Sequence, residues 1–189
     1  MTALERALES LVRFLEERQT PYMLIGGIAN LVWGQPRATF DIDVSILIED
    51  AEWTSFLTEI KRFFQIIPTD AATFLHETHV LPVQTPEGVR IDIVWARLPY
   101  EHKAIARAST EEFAGQKVRV CRPEDLIIHK ILSDRAKDRE DIRGIVRHQR
   151  HRLDGRYLRH TVEAISKTLG RSDLWPFIEE CLRRPTKRR

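Results

Sequence analysis

The chain has 189 residues, 42% of them hydrophobic, which suffices for one substantial core with a helical annex but not for two large domains. Its net charge of +2 hides an asymmetry, because residues 130–189 hold 17 Lys and Arg against 9 Asp and Glu. Such a segment attracts polyanions such as RNA, although an Arg-rich helical face is more often plain solvated surface.

Residues 4–16 repeat apolar side chains at spacings of three and four, which predicts an amphipathic opening helix. Tyr22–Ile25 is a short apolar run and predicts a buried strand. Gly26 and Gly27 then predict a turn, followed by a short helix that closes at Gly34.

Residues 40–48 alternate between apolar and mostly polar side chains, which predicts a strand with two unlike faces. Asp41 and Asp43 are two positions apart and must therefore point the same way. The apolar face is expected to consist of Phe40, Ile42, Val44 and Ile46.

Asp92 is a further carboxylate on a predicted strand. The stretches 79–84 and 89–96 read as two strands around the turn Thr85–Gly88, which makes a hairpin. Asp92 falls on the second strand, on the face opposite the apolar residues. Residues 65–78 fit no single pattern.

The remaining pattern is mainly helical. A strand is predicted at 117–120, and helices are predicted at 51–64, 100–108, 124–132, 139–149, 155–169 and 173–184. We expect an α+β fold, with a mixed β-sheet core in residues 1–121 and a helical C-terminal region packed on it in residues 122–189.

The first residues carry acids throughout and no unbroken apolar run, which argues against a secretion signal or a membrane span. Cys121 and Cys181 match no metal-ligand spacing and are expected to be packing residues. We therefore expect a soluble, cytoplasmic protein.

Asp41, Asp43 and Asp92 together form a candidate metal site. Three carboxylates without His or Cys suit a hard cation, Mg²⁺ or Mn²⁺, and Mg²⁺ commonly shares its coordination with substrate phosphates. The Gly26-Gly27 turn leaves backbone N–H groups free to approach such a phosphate. Each part alone is often only structural, and the combination is what favours a site.

The order Gly-Gly, long gap, Asp-x-Asp, third Asp resembles the nucleotidyltransferase fold typified by DNA polymerase beta. The string IGGIANLVWGQPRATFDIDV is more specific, and PEDLIIHKILSDRAKDREDI continues the match. Both are similar to the nucleotidyltransferase toxins of bacterial abortive-infection systems, the type IV toxin–antitoxin group. The resemblance covers roughly residues 22–142.

The resemblance implies a role for each matched residue. Asp41 and Asp43 would be metal ligands, and Asp92 would be the third carboxylate and general base. Gly26 and Gly27 would form the phosphate turn, with Arg37 and Thr39 lining the same opening. Lys130 would contact the triphosphate of the substrate, and Asp138 would be a supporting acid. The alternative for Lys130, Asp138 and Asp141 is that they are ordinary helix-surface charges.

The predicted activity is transfer of a nucleoside monophosphate from a nucleoside triphosphate to a hydroxyl group, with RNA, including the tRNA 3′ end, as the acceptor. An antitoxin protein is a further predicted partner. Two alternatives stay open at this point: nucleotidylation of a small molecule or protein, and a non-catalytic member that binds a nucleotide or a partner.

Overall fold

The computed structural model describes residues 1–133 and 135–183. Their contacts divide the chain into two compact units. The sheet unit consists of residues 1–28 and 38–121, and the helical unit consists of residues 29–37 and the described residues from 122 onward. No helix within these ranges is both long and apolar enough to cross a membrane.

The sheet unit contains one mixed seven-stranded sheet in the order β3-β4-β5-β2-β1-β7-β6. Its strands are β1 (Tyr22–Leu24), β2 (Asp41–Ile46), β3 (Gln65–Ile66), β4 (Val80–Gln84), β5 (Arg90–Trp95), β6 (Ser109–Phe113) and β7 (Gln116–Val120). The pairs β2–β5 and β1–β7 are parallel, and the other neighbouring pairs are antiparallel. This mixed sheet confirms the predicted fold class.

Five helices begin in the sheet unit: α1 (Ala3–Glu17), α2 (Gly26–Trp33), α3 (Trp53–Ile60), α4 (Ala71–Thr78) and α5 (Pro99–Arg107). Helix α1 starts at a capping box, in which Thr2 and Glu5 satisfy each other's backbone N–H groups. From residue 29 onward, α2 belongs to the helical unit.

Aromatic packing fills much of the core of the sheet unit. The rings of Phe14, Phe56, Trp53 and Trp95 contact one another in sequence, with centroids 5.4, 5.2 and 5.1 Å apart. Each contact is edge-to-face, the geometry that the ring quadrupole favours. The chain of rings joins α1 to α3 and α3 to the end of β5.

The helical unit contains α6 (Pro123–Ser133), α7 (Ala136–Gln149), α8 (Gly155–Leu169) and α9 (Leu174–Arg183). The predicted helix at 173–184 extends to Arg184, which lies outside the described residues. At the start of α6, the Tyr157 hydroxyl donates to Asp125 over 2.7 Å, and the Asp154 N–H donates to Glu124 over 2.7 Å. These bonds join the first turn of α6 to the start of α8.

The hairpin of β4 and β5 is confirmed, and its turn closes through a hydrogen bond from Thr85 N–H to Val89 O. The helix predicted at 51–64 is too long, because α3 ends at Ile60 and the next N–H groups bond mainly three residues back, as in a 3₁₀ turn. Helix α4 and strands β3 and β6 were not predicted. The packing prediction for the cysteines is confirmed, since both side chains are buried.

Candidate active site

The sheet unit places three carboxylates and one guanidinium at the corners of a grid. Strands β2 and β5 run parallel in a register that pairs Asp41 with Arg90 and Asp43 with Asp92. Residues two apart on a strand share a face, so all four side chains project from the same side of the sheet. We call Asp41, Asp43, Arg90 and Asp92 the carboxylate grid.

Two of the grid carboxylates accept hydrogen bonds from neighbouring side chains. The Thr39 hydroxyl donates to Asp41 Oδ1 over 3.0 Å. Arg90 Nε donates to Asp92 Oδ1 over 2.9 Å, and the Asp92 side chain is 23% exposed. Each carboxylate is therefore partly neutralised or hydrogen-bonded while keeping oxygen atoms for a further partner.

The glycine turn lies directly against the grid. Gly26 has a φ of +59°, and a Cβ at that position would lie 1.8 Å from Asp43 Oδ2. A Cβ at Gly27 would lie 2.1 Å from the hydroxyl oxygen of Thr39. Only glycine allows the backbone to approach these side chains so closely. The turn and the carboxylates therefore form one local structure.

The donor chemistry of the grid fits a hard divalent cation, because all three acids offer oxygen atoms from one face of the sheet. In the described part of the chain, however, no group of three or more His, Cys, Asp or Glu side chains is arranged to hold a metal ion. In this arrangement Asp41 is hydrogen-bonded to Thr39, and Asp92 to Arg90.

Phe40 does not belong to the apolar face of the strand, contrary to prediction. Strand β2 begins one residue later, and Phe40 is 82% exposed. The other three predicted members of that face, Ile42, Val44 and Ile46, are fully buried. An exposed aromatic ring therefore stands next to Asp41, where it is available to a planar ligand.

A second cluster of charges lies in the helical unit. Lys130 Nζ donates to Asp141 Oδ2 over 2.7 Å and to Asp138 Oδ1 over 3.3 Å. Arg37 makes two bonds to Asp141, each of 3.1 Å. The side chains of Lys130, Asp138 and Asp141 are 4%, 2% and 8% exposed. The alternative that these three are surface charges is therefore wrong.

Burial and pairing act in opposite directions on the acids of this cluster. Burial by itself would raise the pKa of Asp141, but the hydrogen bonds from Arg37 and Lys130 outweigh it and hold the pKa below its ordinary value. Burial by itself would also raise the pKa of Asp138, but hydrogen bonds from Ser133 and Arg135 outweigh it and lower that pKa. Both acids are therefore charged at neutral pH.

His129 precedes Lys130 on α6 and is half-buried. Burial lowers its pKa to about 4, and the neighbouring charge of Lys130 adds to that effect. The imidazole is therefore neutral at physiological pH.

The predicted site residues fall into two local groups. Gly26, Gly27, Thr39 and the three grid carboxylates lie together in the sheet unit, whereas Arg37, Lys130 and Asp138 lie together in the helical unit. Sequence reasoning missed Arg90, although its spacing of two from Asp92 was a usable signal. It also missed Ser133, whose bond to Asp138 follows no pattern that is visible in the sequence. The pairing of Arg135 with Asp138 has the i, i+3 spacing of a helix and was among the alternatives open from the sequence.

Comparison with protein families gives one match. The model of the family described as "Nucleotidyl transferase of unknown function (DUF2204)" matches residues 4–169. No curated protein matches the sequence significantly.

Several solved structures share the fold. A nucleotidyltransferase-like antigenic protein from Paracoccidioides brasiliensis is 18% identical, with a TM-score of 0.54 over 95% of this chain and 94% of that one. The lincosamide antibiotic adenylyltransferase LnuA is 16% identical, with a TM-score of 0.53 over 75% and 95%. The antibiotic-resistance factor ANT(2'')-Ia is 15% identical, with a TM-score of 0.55 over 87% and 94%. At these identities the likeness is one of fold.

Gly26→Ala tests the close approach of the turn to the grid. The new methyl group would collide with the Asp43 carboxylate, so we expect a loss of about 2–4 kcal/mol in the free energy of unfolding and displacement of Asp43. Gly88→Ala is the matched control, because its φ is +82° and nothing lies within 4 Å. Urea unfolding of both variants separates the collision from the backbone strain, and equal losses would refute the predicted contact.

Lys130→Met tests the buried charge cluster. Removing the ammonium leaves two buried carboxylates with fewer partners, and we expect a loss of about 3–5 kcal/mol in the free energy of unfolding. Lys137→Met on the same helical unit is the control, since Lys137 is exposed and should change stability little.

The stability lost at low pH should also distinguish Lys130→Met from Lys137→Met. A lowered aspartate pKa contributes stability above the unfolded value, 3.8, that is lost as pH falls through the folded value. Wild type and Lys137→Met should therefore lose more stability below about pH 4 than Lys130→Met does. Parallel acid profiles for all three proteins would contradict this account.

Proposed function

The chain belongs to the DUF2204 family of nucleotidyl transferases, and from this premise we propose that it moves a nucleoside monophosphate from a nucleoside triphosphate to a hydroxyl group of RNA. The observation that carries the proposal is the carboxylate grid with Gly26 and Gly27 against it. In this arrangement the N–H groups of the turn would bind phosphate next to carboxylate oxygens that would bind a cation.

In the proposed reaction, the acceptor hydroxyl oxygen forms a bond to the α-phosphorus. The bond from that phosphorus to the bridging oxygen of the β-phosphate breaks, and pyrophosphate leaves. A divalent ion held by Asp41, Asp43 and Asp92 would supply charge neutralisation and activation of the hydroxyl. Asp92 also has the chemistry to accept the proton of that hydroxyl.

The backbone of the turn binds and orients the substrate in this proposal. Gly26 and Gly27 open α2, where N–H groups without helical partners point outward and favour an anion. Thr39 holds Asp41 by its hydroxyl and limits the rotation of that carboxylate. The roles that the resemblance gives to Arg37, Lys130 and Asp138 stay predictions.

RNA is the proposed acceptor because the helical unit carries an excess of Lys and Arg over Asp and Glu. A second candidate is a cationic small molecule, which the sheet unit favours with 17 Asp and Glu against 11 Lys and Arg. A protein partner that restrains the enzyme, as in a toxin–antitoxin pair, remains part of the proposal through the resemblance alone.

Asp41→Asn, Asp43→Asn and Asp92→Asn test the proposed reaction. Each should reduce transfer of label from the four α-³²P nucleoside triphosphates by at least about 100-fold, because each removes a charged oxygen ligand. Asp50→Asn is the control, being an exposed acid of the same unit outside the grid.

The label should be traced in total RNA, protein and small molecules of a cell extract with Mg²⁺ or Mn²⁺. Label in RNA supports the first candidate, and label only in small molecules or only in protein replaces it. The reaction proposal fails if wild type labels no fraction, or if the Asp variants label as well as wild type.

Arg90→Gln tests whether Arg90 competes with a cation for Asp92. Removing the guanidinium frees Asp92 and reduces repulsion, so we expect the Kd for Mn²⁺ alone, measured by electron paramagnetic resonance, to fall about threefold. Arg13→Gln is the control for lost charge, since Arg13 is exposed on α1. Weaker Mn²⁺ binding by Arg90→Gln, as expected for Asp92→Asn, would show that Arg90 positions Asp92 instead.

A further inference from the structure

Residues 147–160 form a strongly basic connection between two helices of the helical unit. The stretch runs from the last turn of α7 into α8 and contains five Arg and three His against a single acid, Asp154. We call residues 147–160 the basic turn. The carboxylate grid and the glycine turn do not account for it.

Part of the charge of the basic turn is already engaged. Arg150 donates to the carbonyl oxygen of Leu182. Arg159 pairs with Glu163 over 2.8 Å and lies over the ring of Trp175. Asp154 caps α8 by accepting from the Tyr157 N–H over 3.0 Å. The sole acid of the segment is therefore used by the helix start.

The remaining positive charge of the basic turn lies on Arg147, Arg152 and Arg156. All three side chains are exposed, and within residues 1–133 and 135–183 none of them has an acidic partner. Three exposed histidines accompany them: His148, His151 and His160. Within the described residues, the positive charge of these arginines is therefore not neutralised by an acid.

Hydrogen bonds give the connection between the two helices a tight turn. The N–H groups of Arg152 and Leu153 both donate to the carbonyl of Gln149, over 2.7 and 3.2 Å. Five residues, 150–154, therefore separate the end of α7 from the start of α8. Three exposed guanidinium groups within residues 147–156 make this segment strongly positive.

Three further arginines of the helical unit are paired with acids. Arg143 bonds Glu140 over 3.1 Å, Arg171 bonds Asp173 over 2.7 Å, and Arg183 bonds Glu179 over 3.1 Å. An ordinary solvated helix surface has this mixed pattern. The basic turn departs from it, because its three free arginines stand without acids at helical spacing.

The surroundings of the basic turn favour phosphate over a protein partner. Guanidinium groups match phosphate oxygens in two-pronged hydrogen bonds. A protein interface normally needs a buried apolar centre as well. The large exposed apolar side chains of the described residues lie outside the basic turn: Met1, Phe40, Ile67, Phe74, Leu98 and Leu169.

We propose that the basic turn binds the phosphate backbone of the RNA acceptor, through Arg147, Arg152 and Arg156. This inference rests on the proposed function for the identity of the acceptor, but the binding itself requires no catalysis. The contacts are to phosphates and carry no information about base sequence.

The test compares two triple variants of the full chain. Arg147→Gln/Arg152→Gln/Arg156→Gln removes the free charges of the basic turn. Arg13→Gln/Lys61→Gln/Lys103→Gln removes the same charge from exposed positions of the sheet unit. Binding of a fluorescent single-stranded RNA of about 20 nucleotides is measured by anisotropy over a range of salt concentrations, after circular dichroism confirms that both variants are folded.

Loss of three phosphate contacts should lower the slope of log K against log salt by about 2 and weaken binding at low salt about tenfold or more. The control variant should keep the wild-type slope. The proposal is overturned if the basic-turn variant binds like wild type, or if both variants lose affinity equally. It is also overturned if vesicles of phosphatidylserine and phosphatidylcholine bind to wild type more tightly than RNA does.

Activity separates this inference from the proposed function. If the basic turn binds RNA but no RNA becomes labelled in the transfer assay, the RNA-acceptor proposal is wrong, whereas the proposal that the basic turn binds RNA is supported. If wild type labels RNA and the basic-turn variant does so with unchanged KM, the proposed function is supported, whereas the proposal that the basic turn binds RNA is wrong. A rise in KM for RNA, without change in Mn²⁺ binding, supports both.

Discussion

The parallel pairing of β2 with β5 is the constraint on which the candidate site depends. Its register places Asp43 beside Asp92 and Asp41 beside Arg90. A slip of one residue would turn one strand's polar residues toward the core, because side chains alternate between faces. The fully buried Ile42, Val44, Ile46, Ile91 and Ile93 make such a slip costly. Apolar burial on one face of the sheet thus fixes the carboxylates on the other.

The same strand also determines where the glycine turn stands. Strand β1 pairs antiparallel with β2, and the Ile25 N–H donates to the carbonyl of Asp43 over 2.9 Å. The next residue, Gly26, must therefore pass the Asp43 side chain at close range, with a backbone conformation that other residues rarely adopt. Packing therefore explains the glycine at the first position of α2, and the proposed phosphate binding requires the same geometry.

Much of this site was predictable from the sequence. Side chains alternate between the two faces of a strand, and a pair of glycines marks a turn. The pairing of β2 with β5 was not predictable, since the two strands are separated by α3, β3, α4 and β4 in the chain. Strand β6 escaped prediction because its turn uses Ala114 and Gly115 at positive φ, and alanine there gives no turn signal. The prediction included Phe40 in the strand, because alternation of apolar and polar residues alone cannot show where a strand begins.

The buried cluster around Lys130 changes the meaning of the residues that carry the family resemblance. A lysine ammonium has three N–H donors, and Lys130 directs them toward Asp138 and Asp141 in an interior where unpaired charge is costly. Arg37 makes two further bonds to Asp141, so the cluster also anchors the segment 29–37 in the helical unit.

The contacts of this cluster are by themselves sufficient to explain why a Lys is followed by two Asp at these spacings. A contact of Lys130 with a triphosphate would use its third N–H donor or replace one of these bonds, and the substrate would have to reach a side chain that is only 4% exposed. Arg37, Lys130, Asp138 and Asp141 therefore form a structural unit, whereas Asp41 and Asp92 are more exposed than Lys130 and Asp138 and each accepts a hydrogen bond from one neighbouring side chain, Thr39 and Arg90 respectively.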